Sequence, residues 1–159
     1  MDQAKRGAME PEVIELADGK LLMIIRTQLG EIATSVSKDG GDHWSGADGL
    51  PLVAPESPAT IRRIPATGDL LLVWNNVYAA GAGHGDKRTP LTAAISSDGG
   101  KSWQHVRNLE DNVKEAHAYT SITFHRDRAL LSYYVADGKA GRISSRFRSL
   151  AVSWFYEGR

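Results

Sequence analysis

The octet Ser-Lys-Asp-Gly-Gly-Asp-His-Trp at residues 37–44 returns as Ser-Ser-Asp-Gly-Gly-Lys-Ser-Trp at residues 96–103. A segment that recurs 59 residues later, Asp39 to Asp98, makes the fold a stack of like units rather than one irregular globule. The unit is longer than the octet. "LADGKLLMIIR" precedes the first copy much as "IPATGDLLLVWNN" precedes the second, and "FHRDRALLSYY" at residues 124–134 is a third version with no octet after it. Each unit reads as aliphatic and β-branched runs of about five to eight residues, split by Gly, Pro, Asp and Asn clusters. The first runs "EVIEL", "KLLMIIR", "EIATSVS", octet, "LPLV"; the second runs "ATIRRI", "DLLLVWN", "LTAAIS", octet and a following strand. Four antiparallel strands per unit form a sheet that cannot bury both faces alone, which is a β-propeller blade.

Inside the octet the residue types have separate jobs. Asp accepts hydrogen bonds from amides further along the turn, and the Gly pair allows positive φ. Trp covers the hairpin, with its indole N–H in reach of a carbonyl. This places each octet in the hairpin between a third and a fourth strand. Two unrelated Asp-Gly-Gly turns would leave the matching Ser and Trp unexplained. Asp39 and Asp42 do not read as a calcium loop, which alternates several acidic ligands and closes on a Glu.

Composition narrows the classes of function. Nineteen Lys plus Arg balance nineteen Asp plus Glu, so no basic or acidic footprint points to nucleic acid. The longest apolar runs are too short to span a bilayer, and "MDQAKRGAMEPEV" has no signal-peptide core, which leaves the compartment unassigned. With no cysteine, thiol and disulfide chemistry is excluded. His84, His105, His117 and His125 show no i, i+4 or His-x-His pairing, so no zinc site is expected. Residues 75–88 form a Gly-rich loop with no following helix and no Lys-Ser/Thr ending, unsuited to cradle phosphate and better read as a substrate-facing or simply flexible loop. No cofactor is implied.

The octets have the form Ser-x-Asp-x-Gly-x-Ser/Thr-Trp, the Asp-box. The chain from about Glu10 to Glu157 resembles the sialidase (neuraminidase) superfamily of BNR-repeat six-bladed propellers. His43 stands where Ser or Thr is usual, an exposed variation of the turn. The resemblance implies an all-β fold of about three four-stranded antiparallel blades, half of such a propeller. The expected division is a leader at 1–9, blades at 10–55 and 56–115 with one box each, and a degenerate blade with a closing strand at 116–159. "EPEVIELADGKLLMIIR" is similar to the family segment that carries the catalytic Glu, which implies Glu10, with a carboxylate-binding arginine sixteen residues on, Arg26. "HAYTSITFHRDRALLSYY" is similar to the nucleophile segment and implies Tyr119. "DKRTPLTAAIS" implies a second arginine, Arg88, with Lys87 beside it.

The residue types suit such a substrate. A sialic acid carries its carboxylate on the anomeric carbon, where planar guanidinium groups clamp it. A carboxylate nucleophile would be repelled there, and sialidases use Tyr instead. A phenol needs a neighbouring base to take its proton, the role implied for Glu10. Taken singly, Glu10, Arg26, Arg88 and Tyr119 would be ordinary surface or core-edge residues. Together they imply an exo-acting, sialidase-like glycoside hydrolase with a carbohydrate ligand.

The first arginine and the Asp acid of the family pattern belong ahead of Glu10, so the reading is of an incomplete hydrolase, weak or inactive alone. Asp86 is the local candidate acid. Two copies pairing would close a six-bladed ring. The competing expectation is a noncatalytic carbohydrate-binding or interaction propeller, and the plainest is a stable fragment without function.

Overall fold

The computed structural model describes residues 6–81, 87–138 and 141–157. Eleven strands make three antiparallel sheets among these residues. The first sheet is β1 (Met9–Glu15), β2 (Leu21–Arg26), β3 (Glu31–Ser37) and β4 (Asp48–Val53), in chain order. The second repeats that plan with β5 (Thr60–Arg63), β6 (Leu70–Asn75), β7 (Leu91–Ser96) and β8 (Gln104–Glu110). The third has β9 (Glu115–His125), β10 (Arg128–Asp137) and β11 (Ile143–Ala151). The meander of blades is therefore the observed architecture, with three described strands in the last sheet. After β11 the chain enters a 3-10 turn, Val152–Phe155, where Phe155 is buried, so these residues plug the core instead of adding a strand. Among the described residues no helix is long and apolar enough to cross a membrane.

The middle sheet is covered on both faces, and β6 shows why. In "LLLVWN" successive side chains point to opposite faces, so a continuous apolar run suits a strand with a core on each side. Leu70, Leu72 and Trp74 join one cluster, which holds Leu22, Ile24 and Leu50 of the first sheet. Leu71 and Val73 join the other, with Ile122, Leu131 and Tyr133 of the third. All six residues of β6 are buried, and the Trp74 indole donates to the Val53 carbonyl at 3.0 Å, tying sheet to sheet. Each large side chain so buried contributes about 1.5–3 kcal/mol.

Both octets lie in third-to-fourth-strand hairpins. In the first, Asp39 Oδ1 accepts from the Ser37 hydroxyl (2.8 Å) and the His43 amide (3.0 Å), while Ser37 Oγ accepts from the Gly41 amide. In the second, Asp98 Oδ1 accepts from Ser96 Oγ (2.8 Å) and from the Lys101 and Ser102 amides, and Ser96 Oγ accepts from Gly100. His43 is exposed but not idle: its Nδ1 donates to Asp39 Oδ2 at 2.7 Å, as the Ser102 hydroxyl donates to Asp98 Oδ2 at 2.6 Å. The Trp44 indole donates to the Gly41 carbonyl, whereas the buried Trp103 Nε1 has no partner among the described residues. Hydrogen bonds from the Ser102 hydroxyl and amide pull the Asp98 carboxyl down to about 2. The His43 amide and ring lower Asp39 in the same direction.

Candidate functional site

Two register breaks build the site. β1 pairs with β2 through Met9↔Arg26 and Glu12↔Ile24, with an irregularity between, and Glu10 sits in it at φ 45°. β9 pairs with β10 through Ser132↔Ser121 and Tyr134↔Ala118, and Tyr119 sits in that break at φ 56°. Left-handed backbone at a bulky residue costs about 1–3 kcal/mol and persists only where surrounding structure enforces it. In both cases the bulge re-aims a side chain. The two side chains meet: Tyr119 Oη donates to Glu10 Oε1 at 3.3 Å, across 109 residues of chain. Tyr119 is 52% exposed, so the phenol stays open to a ligand. A shallow pocket of about 340 Å³ covers the pair, lined also by Pro11, Glu12, Pro58 and Thr60.

Arg26, at the end of β2, lies beneath Glu10. Its Nη1 donates to Glu10 Oε2 at 2.8 Å and its Nη2 is 3.5 Å from Glu56 Oε1. Burial works against its charge, but the hydrogen bond and charge of Glu10, the Tyr119 hydroxyl and the charge of Glu56 outweigh it and hold Arg26 above the ordinary arginine value. Glu56 is itself buried and also meets Arg6 Nη1 (3.0 Å) and Gln28 Nε2 (2.8 Å). Arg88, in the link before β7, is 6% exposed, while neighbouring Lys87 is exposed. The Arg88 Nη1 donates to Tyr134 Oη at 2.6 Å, and its guanidinium lies 5.6 Å from the Tyr119 ring centre and 5.8 Å from that of Tyr134. The two tyrosine rings are 5.7 Å apart. Cationic groups over ring faces at such distances are attracted by the ring quadrupole.

All four residues implied by the sequence thus gather around one phenol. Glu10 and Tyr119 are in hydrogen-bond contact, Arg26 reaches Glu10, and Arg88 faces the ring of Tyr119. Asp86 and His84 lie outside the described residues. Glu56 and Tyr134 were not foreseen. Glu56 comes from an irregular link without periodic signal, whereas alternation along "LLSYYVAD" could have separated buried Tyr133 from partly open Tyr134.

One further group clusters beneath the site. Ligand atoms of Glu110, Glu115 and His117 lie within 4.8 Å of one another. The Arg146 guanidinium already bridges the carboxylates, with Nη1 2.7 Å from Glu110 Oε2 and Nη2 3.1 Å from Glu115 Oε2. Burial disfavours the charge on Glu110, yet hydrogen bonds from Tyr133 and Arg146 lower its carboxyl overall. Burial and that carboxylate raise the Tyr133 phenol. The position suited to a cation between these acids is held by arginine.

Residues 1–133 match the family described as BNR repeat-like domain. No curated protein sequence matches significantly. Among solved structures, the chain is similar to the intramolecular trans-sialidase from Ruminococcus gnavus in complex with oseltamivir carboxylate. That likeness has TM-score 0.71 and 16% identity, over 96% of this chain and 34% of the other. It is also similar to a mutant α-L-arabinofuranosidase from Fusarium graminearum in complex with an iminosugar inhibitor (TM-score 0.65, 13% identity, 95% and 50% covered). An ulvan lyase bound to a GlcA–Rha3S saccharide shares the fold as well (TM-score 0.64, 14% identity, 91% and 38% covered). The chain therefore spans half or less of the length of these structures. At such identities the likeness is one of fold, a fold shared by glycan-active enzymes of several reaction types.

Proposed function

We propose, for a chain that belongs to the BNR repeat-like domain family, a glycan-directed hydrolytic function of the sialidase type, acting on terminal acidic sugars. The observation that carries this reading is the Tyr119–Glu10 hydrogen bond between two residues held in left-handed backbone. In the proposed step Tyr119 Oη attacks the anomeric carbon, its proton passes to Glu10, and the bond to the aglycone oxygen breaks. Water then releases the sugar from the tyrosine. A neutral phenol approaches an anionic sugar without adding net charge. Arg88 and Arg26 supply positive potential around that position, Arg26 through Glu10 and Arg88 across the ring.

An aryl glycoside is the appropriate probe, because its leaving oxygen departs without a strong general acid. Turnover of 4-methylumbelliferyl N-acetylneuraminide is expected, falling about 10³-fold in Tyr119→Phe, which keeps the ring and removes the nucleophile. Equal turnover by the variant would sink the assignment. A binding-only propeller is the second reading, supported by the exposed Tyr119 ring in its shallow pocket. Sugar binding that survives Tyr119→Phe, with no turnover in either protein, would select it.

A further inference from the structure

His117 lies two residues before Tyr119 and is fully buried. Its contacts run to both sides of the site. The His117 amide donates to the Arg88 carbonyl at 2.9 Å. Its carbonyl accepts from Asn75 Nδ2 at 3.0 Å, and Asn75 Oδ1 in turn accepts from the Ser57 hydroxyl at 2.6 Å. Ser57 follows Glu56, the carboxylate that meets Arg26. One buried chain of bonds, Ser57, Asn75, His117, therefore joins the segments that carry Glu56, Arg88 and Tyr119.

The ring adds a second tie, and hydrogen-bond accounting gives its direction. The single hydroxyl proton of Thr89 goes to the Glu115 carbonyl, so toward His117 Nδ1, 3.2 Å away, the Thr89 oxygen acts as acceptor. His117 Nε2 faces Glu115 Oε2 at 3.2 Å, and Arg146 Nη2 also donates to that carboxylate at 3.1 Å. Both ring nitrogens thus meet acceptors. Around the ring stand Glu115 from β9, Thr89 from the link before β7, and Tyr133 from β10, edge-on at 6.1 Å, with Glu110 of β8 and Arg146 of β11 one bond behind.

We infer that His117 is a positioning residue for this site: its buried ring, set between Thr89 Oγ1 and the Glu115 carboxylate, and its backbone bonds to Arg88 and Asn75 fix the Arg88–Thr89 segment against the strand bearing Tyr119. It touches no ligand. Its part in turnover rests on the function proposed above, but its geometry does not, so the two are tested separately.

The first measurement needs no substrate. It compares nitrogen-15 spectra of the intact wild-type chain with those of His117 variants. In His117→Phe and His117→Gln, the Arg88 Nε–H and Tyr119 amide resonances should move or broaden, while the Gly41 and Gly100 amides of the octets stay in place. Unmoved Arg88 and Tyr119 resonances in a folded variant overturn the inference. Should His117→Phe fail to fold, His117→Gln decides. The second measurement uses the umbelliferyl sialoside: His117→Phe should lose about 10- to 100-fold in kcat/KM, with KM raised as well as kcat lowered and with partial rescue in His117→Gln. Unchanged kcat and KM in a folded His117→Phe overturn the positioning role. Absence of turnover in the wild type defeats the proposed function alone, since the spectra still judge His117.

Discussion

The octet turns and the Glu10–Tyr119 pair both use left-handed backbone, but by opposite means. In the octets that conformation falls on glycines, Gly40, Gly41, Gly99 and Gly100, and each Asp carboxylate accepts several hydrogen bonds from its own turn. At the pair it falls on a glutamate and a tyrosine, which resist it, and the exposed phenol is left open. Where the chain needs only a turn it uses the residue that adopts the shape freely. Where it needs a side chain aimed at a neighbour it tolerates strain.

The octets also differ from each other. A Cβ on Gly100 would lie 2.8 Å from Leu22 Cδ2 of the first sheet, whereas on Gly41 its nearest neighbour is Leu21 Cδ1 at 3.6 Å. Gly100→Ala should therefore show the largest stability loss, about 2–3 kcal/mol by urea denaturation, against about 1 kcal/mol for Gly41→Ala. Equal losses would mean that the second octet is not wedged against its neighbouring sheet. Glu10→Gln comes next, at about 1–2 kcal/mol, because buried Arg26 keeps its charge and exchanges an ionic partner for a neutral one.

Asp98→Asn should cost about 1 kcal/mol near neutrality, a modest figure because the carboxylate faces water. Its folded value of about 2 lies below the unfolded carboxyl near 3.9, so the stabilisation is present above about pH 4 and disappears as pH falls toward 2. Denaturation of wild type and variant across that interval should converge; a constant difference would exclude the charge as the cause. The smallest effect is expected for His43→Ser, within about 0.5 kcal/mol, since the hydroxyl takes over the bond to Asp39. A larger loss would show that the imidazole does more than replace a hydroxyl.

What the sequence revealed follows the range of the interactions. The octet turns are local, and their Ser-x-Asp-Gly-Gly pattern specifies their bonds almost completely. The buried run of β6 was legible because a continuous apolar strand needs two covered faces. Glu10 and Arg26, both implied by resemblance, are joined across one hairpin, through the neighbouring pair Met9↔Arg26. Tyr119, 109 residues from Glu10, could be associated with it only by resemblance. Glu56 and the His117 relay were hidden, because no period governs a link such as residues 54–59 and a buried histidine looks like any other in a strand. Nor did composition disclose that the third sheet ends in a 3-10 turn, where burying Phe155 competes with extending the chain.

Strand β5, only four residues long, stands between the two halves of the site. On one side the Ile61 amide donates to Glu12 Oε2 of β1 at 2.9 Å; on the other the Thr60 hydroxyl donates to the Thr120 carbonyl of β9 at 2.7 Å. It works as a ruler whose width sets the gap between phenol and carboxylate. The spacing of Tyr119 and Glu10 can therefore be altered from β5, without substituting either residue.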